Sequence, residues 1–150
     1  MEGRAMKAEE LRIGNHYEYR IIDNVAGSDF WVPTVIDIDD LKWLSQNPDY
    51  PMYRPIEITD EWLVKFGFEP MYNTPSEHNP FYKRILPNKG MEIYPPSAEN
   101  KREHYQFTCG GVRSQSFSID IKHVHQLQNL YFALYFALTG EELQIKKHTE

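Results

Sequence analysis

The sequence predicts an α+β fold. A small N-terminal β-containing module comes first, then an antiparallel β-meander packed on a long C-terminal helix. Three observations carry this expectation. Short runs rich in Tyr, Ile, Val and Phe recur between clusters of Gly, Pro, Asn and Asp, the pattern of half-buried strands joined by turns. Residues 38–46 and 60–66 switch to helical spacing behind an acid or hydroxyl cap. Residues 122–138 form one long apolar helical stretch closed by Thr139-Gly140.

Residues 17–22 alternate and are rich in β-formers, and Asp23-Asn24, Gly27 and Ser28-Asp29 break the run. Residues 30–36 are the second strand, where Pro33 implies an edge position or a bulge. Asp37 then caps a short helix over residues 38–46, with Asp39 and Asp40 in the first turn, where the helix dipole favours negative charge. Capping accounts for these acids more simply than a metal site does. Ile38, Leu41 and Leu44 are expected to face inward, and Asn47-Pro48 ends the helix. Residues 48–53 are a connector and residues 54–58 a short extended stretch. Thr59 caps the helix over residues 60–66, whose apolar face is Trp62, Leu63 and Phe66, and Gly67 is its left-handed stop.

From Phe68 onward the pattern is β. A polar loop occupies residues 71–80. Strands at residues 81–86 and 91–94 are joined by Pro87-Asn88-Lys89-Gly90, a hairpin signal. Strands at residues 104–108 and 112–119 flank Gly110-Gly111, a second one. The expected organisation is a flexible leader at residues 1–10, an N-terminal αβ module at 11–53, the helix, sheet and last helix at 54–145, and a tail at 146–150. Met6 offers an alternative start, with residues 1–5 as a leader.

Composition narrows the function classes. Net charge is −6 over 150 residues, with a pI near 5.5. Lys and Arg are scattered, with adjacent pairs at Lys83-Arg84, Lys101-Arg102 and Lys146-Lys147. Nucleic-acid binding is therefore disfavoured, since phosphate neutralisation supplies most of that affinity. A single cysteine, Cys109, excludes an internal disulfide and suits a reducing cytoplasm. Residues 1–7 lack the apolar core of a signal peptide. The longest apolar run, residues 130–138, is far short of the roughly 20 residues that span a bilayer. The expectation is a cytoplasmic protein without a membrane partner.

No motif carries chemistry. His123 and His125 diverge by about 200° on a helix and cannot share a metal there. His16, His78, His104 and His148 lie in separate segments. Cys109 has His104 five residues upstream, which points to the opposite face of one strand. Gly110-Gly111 is not followed by a helix and is not a phosphate loop. No catalytic residue, cofactor or metal is assigned. Tyr17, Tyr19, Trp31, Trp43, Tyr50 and Tyr53 crowd the first half. Such aromatics stack nucleobases or bind peptides in some proteins. Ordinary core packing is the simpler account.

The last helix contains a tandem Tyr-Phe-Ala-Leu at residues 131–138. At about 100° per residue, Val124, Leu127, Leu130, Tyr131, Leu134 and Leu138 share one face, expected to bury on the sheet. Phe132 and Phe136 lie nearly opposite, beside His125 and Asn129. These four residues, His125, Asn129, Phe132 and Phe136, are the candidate interaction surface. Either the N-terminal module covers them, or a partner or second copy does.

Three stretches together resemble one family. They are Leu11-Arg12-Ile13-Gly14-Asn15, then Arg54-Pro55-Ile56-Glu57-Ile58-Thr59-Asp60-Glu61-Trp62-Leu63-Val64-Lys65-Phe66-Gly67-Phe68, and finally Ile121-Lys122-His123-Val124-His125-Gln126-Leu127-Gln128-Asn129-Leu130-Tyr131-Phe132-Ala133-Leu134 with Thr139-Gly140-Glu141-Glu142-Leu143. In order and spacing the chain resembles a group of short proteins common in Bacteroidota genomes, prophages and phages, a family without an assigned activity. That family's pattern has a single Tyr-Phe-Ala-Leu, so the second copy is a departure. The resemblance implies a mobile-element setting and nothing catalytic. Three functional readings follow. The first is a non-catalytic accessory protein that binds a host or phage protein, or a second copy of itself. The second is a nucleotide or nucleic-acid binder that counters host defence. The third is an enzyme with an unrecognised site.

Four residues add about 400° of helix, a net turn of roughly 40°. Deletion of residues 135–138 is therefore expected to leave a folded protein with cooperative thermal unfolding by circular dichroism. A broad, non-cooperative melt would make the extra turn structural.

Overall fold

The computed structural model describes residues 8–47, 51–72, 79–87, 89–109, 117–143 and 145. The Gly110-Gly111 turn, Tyr50, His78, His148, residues 1–7 of the leader and the tail at 146–150 lie outside the described residues. The fold is α+β, with two antiparallel sheets and a C-terminal helix. The chain divides into two units. One is Met1–Glu57 with His123–Leu130, and the other is Ile58–Lys122 with Tyr131–Glu150. No helix among the described residues is long and apolar enough to cross a membrane.

In the first unit, β1 (His16–Asp23) and β2 (Ser28–Val35) form a hairpin. The short strand β3 (Tyr53–Arg54) pairs with the other side of β1, giving the order β2-β1-β3. Asp23 shapes the turn by accepting from the backbone N–H of Val25 and Ala26, and Gly27 closes it with φ +66°. Helix α1 (Ile38–Gln46) opens on a capping box in which Asp40 N donates to Asp37 Oδ1 at 2.8 Å and Asp37 N to Asp40 Oδ2 at 3.0 Å. The core is Leu11, Tyr17, Ile36, Leu44 and Tyr53, with Ala8, Tyr19, Leu41 and Met52 around it. The Tyr17 and Tyr53 rings stack at 5.1 Å. Burial raises the Tyr17 pKa, and the Asp40 carboxylate adds to the rise.

Two expectations change here. Ile38 is 51% exposed rather than inward. The inner side of α1 is taken by Leu44, by Leu41 and by Asp40, which accepts from Tyr53 Oη at 3.3 Å. Ile38 falls roughly 110° from that side. Ala8–Glu10, expected within the leader, form a 3-10 turn, and Ala8 packs against the core.

In the second unit, Thr59 caps α2 (Asp60–Lys65) by accepting from Trp62 N. The helix ends in a Schellman arrangement. Gly67, at φ +86°, donates to Val64 O at 2.9 Å, and Phe68 N donates to Leu63 O at 2.9 Å. The sheet follows as β4 (Glu69–Pro70), β5 (Phe81–Leu86), β6 (Lys89–Tyr94), β7 (Tyr105–Cys109) and β8 (Phe117–Ile121), each beside its sequence neighbour. Phe81, Ile93, Phe107 and Ile119 are in register across one face. Lys83 and Met91, paired two residues along on the same strands, lie on that face too. Met91 and Ile93 are fully buried, as are Leu63, Phe66 and Phe68 from the α2 segment. Lys83 Nζ donates to Phe66 O at 2.9 Å, placing a cation at the negative end of α2. Tyr105 Oη donates to Asp60 Oδ1 at the other end. Helix α3 (Val124–Thr139) is the last helix; it belongs to the first unit as far as Leu130 and to this one from the buried Tyr131 onward.

On the opposite face of this sheet the Tyr82 ring lies over Gly90. A Cβ on Gly90 would sit 2.0 Å from Tyr82 Cε2, so the ring must move to admit even a methyl group. Gly90→Ala is expected to cost about 1–3 kcal/mol in urea unfolding. In a Tyr82→Ala background the same change should cost little, and equal costs in both backgrounds would refute the steric account.

Candidate functional site

Helix α3 carries the four residues singled out by sequence, and the structure separates them. Its N-terminus is tied down before the helix begins. Val124 N donates to Ile56 O at 2.9 Å, and Gln126 Oε1 accepts from His123 N at 3.0 Å, closing the first turn on a His123 cap. Glu57 and His123 form an isolated antiparallel bridge.

One turn further on, two side-chain amides meet residues 10–16. Gln128 Oε1 accepts from His16 N at 2.8 Å, while Gln128 Nε2 donates to Gly14 O at 3.1 Å and lies 3.0 Å from His16 Nδ1. Asn129 Oδ1 accepts from Asn15 Nδ2 at 3.0 Å, and Asn129 Nδ2 donates to Glu10 O at 2.9 Å. Asn15 Oδ1 in turn accepts from Arg12 N at 2.7 Å. Asn15 and Gln128 are both buried. Buried amides satisfied on both ends fix a register between the loop and the helix. Asn129 is thus a structural residue, not part of an open contact surface. Sequence reading overlooked Gln128 and Asn15. Their signal was a polar Gln128-Asn129 pair inside an otherwise apolar helical stretch.

His125 is 3% exposed and is also not on an open surface. Its ring stacks on His123 with centroids 5.6 Å apart. Its Nδ1 is buried without a hydrogen-bond partner. Burial lowers its pKa from the ordinary 6.5 to about 4, and the neighbouring His123 adds to the fall.

The remaining two, Phe132 and Phe136, stack at 4.6 Å. Phe132 is half-buried, while Phe136 is 39% exposed and Leu138 53% exposed. Leu134, expected to bury on the sheet with Leu138, is exposed as well. The buried arc of α3 runs through Val124, His125, Leu127, Gln128 and Tyr131. It is turned by roughly 80° from the arc the apolar residues suggest. The amide and histidine contacts set this rotation, because a helix apolar on nearly every side gives hydrophobicity little power to choose. Tyr131 and Tyr135 also pack together, at 5.3 Å. Thr139 Oγ1 donates to Tyr135 O at 3.0 Å, and Gly140, at φ +67°, donates to Phe136 O at 2.8 Å to end the helix.

The other sequence candidates do not converge. Among the described residues no group of three or more His, Cys, Asp or Glu could hold a metal ion. Asp37 and Asp40 are committed to the α1 cap. Tyr17, Tyr19 and Tyr53 pack together in the first unit. Trp31 instead lies under the Arg54 guanidinium, 4.0 Å from the ring centroid, and Arg54 Nε pairs with Glu18 Oε2. No family model, curated protein or solved structure matches the chain.

His125 gives a pH signature. The unfolded imidazole takes up a proton as pH falls through 6.5, whereas the folded one resists until about 4. The native state therefore loses stability as pH falls through that window, by on the order of 3 kcal/mol at most. His125→Leu is expected to flatten the stability-against-pH slope between those values in urea titrations. An unchanged slope would mean the ring is not held neutral.

Proposed function

We propose that this protein is a non-catalytic accessory protein of a phage or other mobile element that works by binding a host or phage protein. Its contact surface on this reading is the exposed C-terminal half of α3. One observation carries the reading. The second Tyr-Phe-Ala-Leu copy leaves Phe136 and Leu138 at the surface, on a helix without a single Asp, Glu, Lys or Arg. Leu134 and Leu138 lie on one side of the helix end and Phe136 about 200° of rotation from Leu138, so exposed apolar side chains surround it with no charge among them, as is characteristic of contact surfaces. The setting comes from the sequence resemblance.

Phe136→Glu/Leu138→Glu is the test. Tagged wild-type and variant chains are expressed in the native host, and a captured protein is then purified and titrated calorimetrically. The variant should bind at least about tenfold more weakly with a melting temperature within a few degrees of wild type. Equal affinity of both forms would overturn the assignment of the surface. Turnover of a specific substrate by the pure chain would overturn the non-catalytic reading.

A second reading is a nucleotide or nucleic-acid binder. The Arg54–Trp31 stack on β2 and β3 favours it, since such stacks hold bases and phosphates. The net charge of −6 opposes it. On this reading nucleoside mono-, di- or triphosphates at 1,000 times their Kd would add about 4 kcal/mol of stability. Absence of any thermal shift would remove it.

A further inference from the structure

Strand β2 is an edge strand of eight residues. Among the described residues no strand pairs with its other side, whose backbone groups can be read from the hairpin register. Arg20 N donates to Met52 O, away from β2. The Arg20–Trp31 pair is therefore not hydrogen-bonded, and by alternation neither are Ile22–Asp29, Glu18–Pro33 and His16–Val35. The backbone groups of Asp29, Trp31, Pro33 and Val35 thus point outward. Pro33 occupies one of the positions where a missing N–H costs the hairpin nothing. Two outward donors, those of Asp29 and Trp31, lie on the side of Pro33 nearer the turn.

We propose that this edge pairs with the same edge of a second copy of the chain, antiparallel, about a two-fold axis at Phe30. The geometry favours this register over others. Asp29 faces Trp31 of the second copy and Trp31 faces its Asp29, so both outward donors and both outward carbonyls on each side are used. Pro33 falls outside these pairs. Phe30, exposed in the single chain, meets its own equivalent in a non-hydrogen-bonded pair, where side chains approach most closely. Charge agrees as well. Asp29 is the only charged residue on β2 and is paired with Arg20. In the dimer its carboxylate lands beside an indole that Arg54 covers. No like charges oppose each other across the joint. A single strand joint buries less than the roughly 800 Å² per partner of a standard interface. The dimer is therefore weak and concentration-dependent. It is independent of the α3 surface.

Sedimentation equilibrium from about 10 μM to 1 mM tests it, with amide exchange read at Asp29 and Trp31. Wild type should dimerise reversibly, and those two amides should become protected as it does. Asp29→Pro removes an outward donor from each copy and should weaken the dimer by on the order of tenfold or more, leaving circular dichroism unchanged. Pro33→Val adds a donor outside these pairs and should leave association unchanged. Phe136→Glu/Leu138→Glu should leave it intact. A wild-type monomer throughout, an Asp29→Pro dimer as tight as wild type, or a Pro33→Val dimer markedly tighter than wild type, overturns the proposal. Protection of both amides in a chain of monomer mass would assign the edge to a segment of the same chain, and would overturn it too.

Discussion

The pair of hydrogen-bonded amides on α3, Gln128 buried and Asn129 half-buried, is the constraint on which the first unit depends. An amide taken out of water without partners costs several times what a satisfied one contributes. Gln128 can therefore be buried, and Asn129 half-buried, only where Glu10, Gly14, Asn15 and His16 present matching groups. Apolar packing tolerates a slide of an ångström; this arrangement does not. It also draws together stretches far apart in the chain. The turn before β1, the Ile56-Glu57 segment and the first turns of α3 all meet within one unit.

Much of the secondary structure was legible because local chemistry decides it. Asp37 and Thr59 cap where their side chains can reach free N–H groups. Gly67 stops α2 because the left-handed turn needs a residue without Cβ. Pro33 marked an edge strand because a central one would lose a bond there. What was not legible is which way two helices turn their faces. Ile38 was misplaced because Asp40, a capping residue, also accepts from a core tyrosine. Leu134 and Leu138 were misplaced because the hydrophobic pattern of α3 is nearly uniform around its axis. There the decision passes to polar groups, whose partners lie more than a hundred positions away. The candidate surface divided along that line. His125 and Asn129 turned out to be interior or committed, and the apolar part of the surface begins only beyond Tyr131.

That division places different demands on the two halves of α3. The first half is specified by directional bonds and accepts few substitutions. The second half repeats a four-residue unit close to one helical turn, so a Tyr packs at a tilt on a Tyr and a Phe stacks on a Phe. The cap made by Thr139 can then rest on a tyrosine carbonyl whether one copy is present or two. Length can change here without redesign of the helix end.

The first sheet has unequal edges, and the inequality bears on solubility. Its β3 edge is two residues long and offers almost no template for another strand. Its β2 edge is long, but Pro33 interrupts the row of outward donors. A sheet that could recruit strands on both sides would grow into a fibril. This one offers a long edge on one side only, with a proline part-way along it. The same asymmetry that leaves one edge open keeps this sheet from being extended at both.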